Sequence, residues 1–217
     1  MLRETQNHVC GSRNRGMSVE KIFLHVGCGL LRKGNTTRGF NSEQWREIRL
    51  DIDPSVTPDI IGTMTDMSAV ETASVDAVFS SHNIEHLYPH EVLVALAEFL
   101  RVLKDDGFAV ITCPDLKSVA KRIADDLLLE PVYQSGMGPI APLDLLYGHR
   151  ASLAKGNLYM AHRCGFTQKV LAETLQAVGF KSVASACIPQ SFVLWAFASK
   201  SERDDAELRE LARLHFP

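Results

Sequence analysis

Strand-like and helix-like stretches alternate along this chain, and no other feature narrows its fold as much. Lys21 to Val26 reads K-I-F-L-H-V, a short β-favouring run that ends at a glycine pair. Glu47 to Ile52 and Pro58 to Ile61 read as two more short strands, and Val75 to Ser80 and Phe108 to Cys113 as buried ones. Between the last two, Val92, Leu93, Leu96, Phe99, Leu100 and Leu103 share one face of a helix, with Asp105-Asp106-Gly107 as its stop. Leu116 to Leu129 predicts another helix, and Thr167 to Val178 a third, with Thr167 as N-cap and Gly179 at its end. Lys181 to Ile188 and Phe192 to Ser199 read as a final strand pair. Strands alternating with helices predict a parallel sheet covered on both faces, whose ligands bind beyond the carboxyl ends of the strands. Functional residues are therefore to be sought in the loops that follow strands.

Composition removes other classes. The chain has 217 residues, 46% of them hydrophobic, with a formal charge of −3. That suits one domain over residues 19–217 and excludes a disordered chain. A weakly acidic total disfavours nucleic acid as a partner, because phosphate neutralisation needs excess cations. No run of 18 apolar residues is present to span a membrane. Five scattered cysteines without a C-x-x-C support neither a disulfide framework nor a zinc ribbon. Residues 1–18 are polar and aperiodic and read as a disordered tail, with Met17 as a second start. The default setting is reducing and cytoplasmic.

The first strand runs into Gly27-Cys28-Gly29, where glycines let backbone approach a ligand closely. A dinucleotide fingerprint would place a third glycine where Arg32 stands, which disfavours a nicotinamide cofactor. The next strand ends in L-D-I-D-P, and Asp51 can accept both hydroxyls of an adenosine ribose. Thr65-Asp66-Met67 follows the third strand and offers a grip on an adenine edge.

L-H-V-G-C-G, then L-D-I-D-P, then D-M, then V-D-A-V-F-S-S-H-N-I-E-H-L and L-R-V-L-K-D-D-G-F-A-V-I-T-C-P-D occur in that order. Together they resemble the class I S-adenosylmethionine-dependent methyltransferases, nearest to their small type 11 subgroup, from about Lys21 to Ser199. The resemblance implies a Rossmann-like α/β fold, a mostly parallel sheet with helices on both faces and an antiparallel last strand. It implies S-adenosylmethionine as cofactor, with Gly27, Cys28 and Gly29 lining its methionine and ribose portion through backbone contacts. Asp51 would bind the ribose, with Asp53 as helper; Asp66 would accept from the adenine amino group while Met67 packs on the ring. Ser81 and His82 would stand between cofactor and acceptor. His25 occupies a position usually acidic in the family and would hold the cofactor's amino-acid end. The stretch Leu30 to Trp45 lacks apolar periodicity, so the helix expected after the glycine loop is truncated or replaced by coil.

His82-Asn83-Ile84-Glu85-His86 also reads H-x-x-E-H, an inverted zinc-protease signature, and a zinc-dependent hydrolase is the rival reading. The motif follows a strand directly and adjoins Pro89, which leaves little room for the helix such enzymes use, so no metal is expected. A non-catalytic member of the same fold, binding only cofactor or a partner, is the other alternative. Residues 131–165, with three prolines and five glycines, read as a long irregular lid over the acceptor. Arg150, Lys155 and Arg163 there face only Asp144, which points to a small acceptor carrying a carboxylate or phosphate. Tyr147, Arg150 and Arg163 are the acceptor-binding candidates; His149, His162 and His82, in that order, are the candidate bases. A metabolite, lipid or glycan is the expected acceptor. The charged run Glu202 to Arg213 reads as a solvated helix, or one covering a sheet edge or a homodimer partner.

Overall fold

A computed structural model describes residues 20–217. The expected tail over residues 1–18 and the second start at Met17 lie outside the described residues. In chain order the first strands are β1 (Lys21–Val26), β2 (Trp45–Asp51), β3 (Ile60–Ile61) and β4 (Val75–Ser81), followed by helix α1 (Pro89–Val102), strand β5 (Leu103–Pro114) and helix α2 (Leu116–Ala124). A hairpin, β6 (Tyr133–Ser135) and β7 (Gly138–Ile140), then leads into short helices α3 (Pro142–Tyr147) and α4 (Arg150–Ala154). Helix α5 (Gln168–Val178), strands β8 (Ser182–Ile188) and β9 (Val193–Ser199), and helix α6 (Asp205–His215) complete the chain.

Seven strands form one sheet in the order β3-β2-β1-β4-β5-β9-β8. The β1, β2, β3, β4 and β5 pairings are parallel, and β9 runs antiparallel to both β5 and β8. This is the expected α/β sheet with one reversed strand. The strand order turns back between β1 and β4, so the loops after these two strands diverge and leave a crevice at their carboxyl ends.

The alternation of side chains along β1 separates two cores. Leu24 and Val26 enter a core under α1 and α5, with Leu96, Phe99, Leu171 and Leu175. Phe23 enters a second, aromatic core with Phe40, Trp45, Phe79, Phe108 and Phe197. No regular α-helix joins β1 to β2; a single 3-10 turn, Lys33–Asn35, lies in that connection, as the missing periodicity predicts. Phe40 takes the vacant place over the sheet, stacked on Phe23 at 4.5 Å and beside His215 at 4.4 Å. The solvated reading of the C-terminal helix is therefore corrected. Leu208, Leu211 and His215 of α6 turn inward and cover the aromatic core that the missing helix leaves open.

Three boundaries differ from those read from sequence. The helix expected to Leu129 ends at Ala124, because Asp126 adopts φ 60° and turns the chain. The Asp105-Asp106-Gly107 stop falls inside β5, which starts at Leu103 by pairing with Val75. Residues 131–165 are not irregular: they hold the hairpin, α3, α4 and a bridge between Gly148 and Ala161.

Candidate functional site: a crevice at the carboxyl ends of β1, β2 and β4

Gly27 and Gly29 adopt φ values of 63° and 51°, the left-handed region that glycine enters without a Cβ penalty. At Gly27 an added Cβ would land inside the Asn83 carboxamide. Asn83 fills that gap deliberately: its Nδ2 donates to the carbonyls of Val26 at 3.0 Å and Ser81 at 2.9 Å. The turn after β4 is thereby locked under the turn after β1. Above Gly29, by contrast, an added Cβ would meet nothing within 4 Å. The open space of the crevice starts there.

The loop's backbone donors have partners within the protein. Gly27 and Cys28 both donate to the Leu50 carbonyl, and Gly29 donates to Asp51 Oδ2 at 2.7 Å. None of these three N–H groups is free for a cofactor, so the loop contributes closeness and shape. Cys28 is buried, and burial pushes its thiol up to about 11, so it is an inert wall.

Asp51 is the centre of the arrangement. Its Oδ2 accepts from Gly29 and its Oδ1 from the Asp53 backbone at 2.9 Å, which fixes the carboxylate and leaves a lone pair on each oxygen. Ile52 follows, 44% exposed, an apolar side chain beside the polar grip. Asp53 caps the Pro54–Val56 turn by accepting from Ser55, so its carboxylate is engaged in that turn. The chain leaving β3 passes beside Asp51, through a 3.0 Å bond from Gly62 to the Asp51 carbonyl. It brings Asp66 to the surface, in a turn with Ser68. Met67 does not pack on a ligand ring. It is buried in the α1/α5 core, with its N–H held by Glu98.

Two buried groups support the loop and were missed by motif reading. Arg49 is 2% exposed, and its guanidinium donates to the carbonyls of Gly29, Leu31, Val56 and Thr57. Gly29 and Leu31 lie where no helix follows β1, and Val56 and Thr57 in the turn after β2, so one planar five-donor group satisfies four carbonyls outside any ladder. The second is Glu47, which accepts from His25 Nδ1 at 2.7 Å and from the Lys33 backbone at 2.9 Å. His25 is 1% exposed and does not reach the crevice surface. Burial lowers its pKa, against the pull of Glu47, so it is neutral and acts on the loop through Glu47. The signal for both was a charged residue at an inward position of a strand.

On the β4 side, Ser81 hydrogen-bonds Thr112 of β5 at 2.7 Å. His82 follows with φ 54° and a side chain 41% exposed, its Nδ1 3.4 Å from Glu85 Oε1. Of the H-x-x-E-H residues, Glu85 and His86 lie on a 3-10 turn, Ile84–His86, and His82 precedes it, rather than all lying on a helix. A protease helix with Glu85 as exposed base is excluded, because Glu85 is 1% exposed.

The 131–165 segment is docked on this turn. Arg163 and Cys164 donate their backbone N–H groups to the Glu85 carbonyl, and His162 Nδ1 bonds the Leu145 carbonyl at 2.9 Å. Of the candidate bases, His162 and His82 meet around Glu85, whereas His149 caps α4 and bonds Ser152. The acceptor-side cations separate as well. Arg150 forms a bidentate pair with Asp144, at 2.8 and 3.0 Å, which holds that carboxyl at about 2 despite burial. Arg163 lies over the Tyr88 ring at 4.8 Å and donates to the His86 carbonyl, and Tyr147 is 60% exposed.

The sheet reverses between β1 and β4, and a glycine turn over open space stands there beside a fixed acidic side chain at the end of β2. Residues 24–111 match a family model described as a methyltransferase domain. The fold is similar to that of the Burkholderia thailandensis 1,6-didemethyltoxoflavin-N1-methyltransferase, solved with S-adenosylhomocysteine. The two share 18% identity and a TM-score of 0.54, over 83% of this chain and 71% of that one. It is also similar to a Thermotoga maritima methyltransferase described as a possible histamine N-methyltransferase, at 14% identity and a TM-score of 0.52, over 84% and 83% of the two chains. An S-adenosylmethionine-dependent methyltransferase from Aquifex aeolicus gives 13% and 0.51, over 86% and 85%. No curated protein matches the sequence. The fold is thus that of solved S-adenosylmethionine-dependent methyltransferases, and the match to the methyltransferase-domain model covers residues 24–111.

Proposed function

We propose that this chain transfers the methyl group of S-adenosylmethionine to a small acceptor held between the end of β4 and the 131–165 segment. The observation that carries the reading is the fixed Asp51 carboxylate beside the open space over Gly29. The cofactor supplies an electrophilic methyl group on a sulfonium. Asp51 would accept from the ribose hydroxyls, and Ile52 would offer its exposed side chain to the adenine. Arg49 keeps the glycine turn in place while this happens. Most of the rate would come from alignment of the two reactants and exclusion of water by the docked segment.

Arg150 is neutralised by Asp144, so the attraction for an anionic acceptor falls to Lys155, Arg163 and the neighbouring imidazoles. Of the candidate bases, His82, partly exposed at the end of β4, would take a proton from a protonated nucleophile.

The test is calorimetric titration with S-adenosylhomocysteine. Asp51→Ala removes two charge-assisted hydrogen bonds of about 1.5–3 kcal/mol each, so affinity should fall on the order of a hundredfold or more. Asp51→Asn, which keeps the shape, should fall nearly as far. Undiminished binding by either variant would overturn the assignment.

A further inference from the structure

The turn after β4 and the end of the 131–165 segment enclose something the methyl-transfer reading does not use. Glu85 is 1% exposed, and neither of its carboxylate oxygens has a hydrogen-bond partner among the described residues. His82 stands 3.4 Å from Oε1, an ion-pair distance without hydrogen-bond geometry. Leaving a buried carboxylate unpaired is expensive, so such a group marks a missing partner.

The two nearest imidazoles do not supply it. His86 Nδ1 lies 3.0 Å from the Ala161 carbonyl, and His162 Nδ1 lies 2.9 Å from the Leu145 carbonyl. A carbonyl can only accept, so each Nδ1 carries a proton and Nε2 is the ring atom available to a further partner. The rings are 4.9 Å apart. One donor atom from each of Glu85, His86 and His162 lies within 4.8 Å of the others. A buried carboxylate without a hydrogen bond therefore stands beside two imidazoles whose Nδ1 atoms are engaged elsewhere.

We propose that Glu85, His86 and His162 bind a divalent transition-metal ion, zinc by the nature of the donor set. Two imidazoles and one carboxylate make a zinc set with one position left over. The backbone carbonyls of Ala161 and Leu145 are the outer partners that such histidines use to fix tautomer and ring orientation. Tetrahedral ligation at ~2.0–2.1 Å places ligand atoms about 3.3 Å apart, so the three groups need only close inward. His82, the most exposed member of the cluster, borders the fourth position, which a water or the acceptor's donor atom would fill. The ion would tie the end of β4 to the 131–165 segment, an attachment now made by the Arg163 and Cys164 backbone bonds to Glu85. This site is a different arrangement from the helical H-x-x-E-H of zinc hydrolases: Glu85 is a ligand, His82 is not required, and His162 comes from 76 residues further on in sequence than His86.

The proposal stands on these residues alone, and metal binding is read separately from S-adenosylhomocysteine binding, so either can fail without the other. The full chain, stripped with a chelator, is dialysed against Zn2+ and, in parallel, Co2+. One zinc per chain retained through gel filtration, with a tetrahedral Co2+ visible spectrum, is expected. Glu85→Gln and His162→Gln should each weaken Zn2+ binding by roughly a hundredfold or more. His90→Gln, at an exposed histidine outside the cluster, should leave it unchanged. Substoichiometric zinc, an octahedral Co2+ spectrum, or undiminished affinity in Glu85→Gln would overturn the site. Should Glu85→Gln fail to fold, judged by circular dichroism, the wild-type stoichiometry and Co2+ spectrum still decide the question.

Discussion

Replacing Gly27 with alanine tests the interlock between the turns after β1 and β4. Alanine at φ 63° costs about 1–2 kcal/mol in backbone strain. The new Cβ also occupies the Asn83 carboxamide position and must expel it. Asn83 then loses its bonds to Val26 and Ser81 and a weaker one to Ser80 at 3.4 Å. At ~0.5–1.5 kcal/mol each, partly replaced by water, that adds about 2 kcal/mol. Gly27→Ala should therefore lower unfolding stability by about 3–4 kcal/mol, and Asn83→Ala by about 2 kcal/mol. In the double variant the side chain that must move is already gone, so only the strain adds to the Asn83 loss. Urea unfolding of all four proteins should give a coupling of about 2 kcal/mol, far from additive. Additivity to within ~0.5 kcal/mol would show that the two turns are independent and refute the interlock.

Three further outcomes follow from other parts of the molecule. Arg49→Lys should lower stability by about 2–4 kcal/mol in urea unfolding and weaken S-adenosylhomocysteine binding, because an ammonium cannot reach four carbonyls from one plane. His215 is buried and its pKa is pushed down to about 4, so the unfolded chain takes up a proton near pH 6.5 that the folded chain refuses. Stability should fall as pH drops from about 6.5 to 4, by up to about 3 kcal/mol from this group, and His215→Gln should flatten that slope. His25 and His162 add slopes of the same sign, so the difference between variant and wild type is the quantity to measure. Asp144 holds Arg150 and caps the Ala141 N–H; Asp144→Ala should increase hydrogen exchange in α3 and α4 while leaving the sheet protected.

Periodicity could be read residue by residue wherever a single face is buried. The α1 stripe of Val92, Leu96 and Phe99, the apolar strands β4 and β5 and the Gly179 end of α5 all lie where the pattern placed them. Patterns could not say what covers a face left bare by a missing helix, since Phe40, Trp45 and α6 meet only after 160 residues of intervening chain have folded. Met67 shows the same limit. A methionine beside an acidic residue satisfies both a ring-stacking and a core reading, and only the packing under α1 chose the core.

The site divides along the same line. Gly27, Gly29 and Asp51 were legible because a close turn and a carboxylate after a strand are local requirements, met by residue type and spacing alone. Which of their polar atoms remain free was not, because hydrogen-bond partners come from other strands: Leu50 takes two loop donors, and Arg49 takes four carbonyls. Glu85 and His86 stood together in the sequence as part of a recognisable motif, but His162 joins them through the docking of a distant segment. Sequence by itself determined the alternating α/β layout and the strand ends that border the crevice. The tertiary structure decided which charges are neutralised, as Arg150 is, and which are buried without a hydrogen bond, as Glu85 is, because desolvation and pairing depend on neighbours in space rather than in the chain.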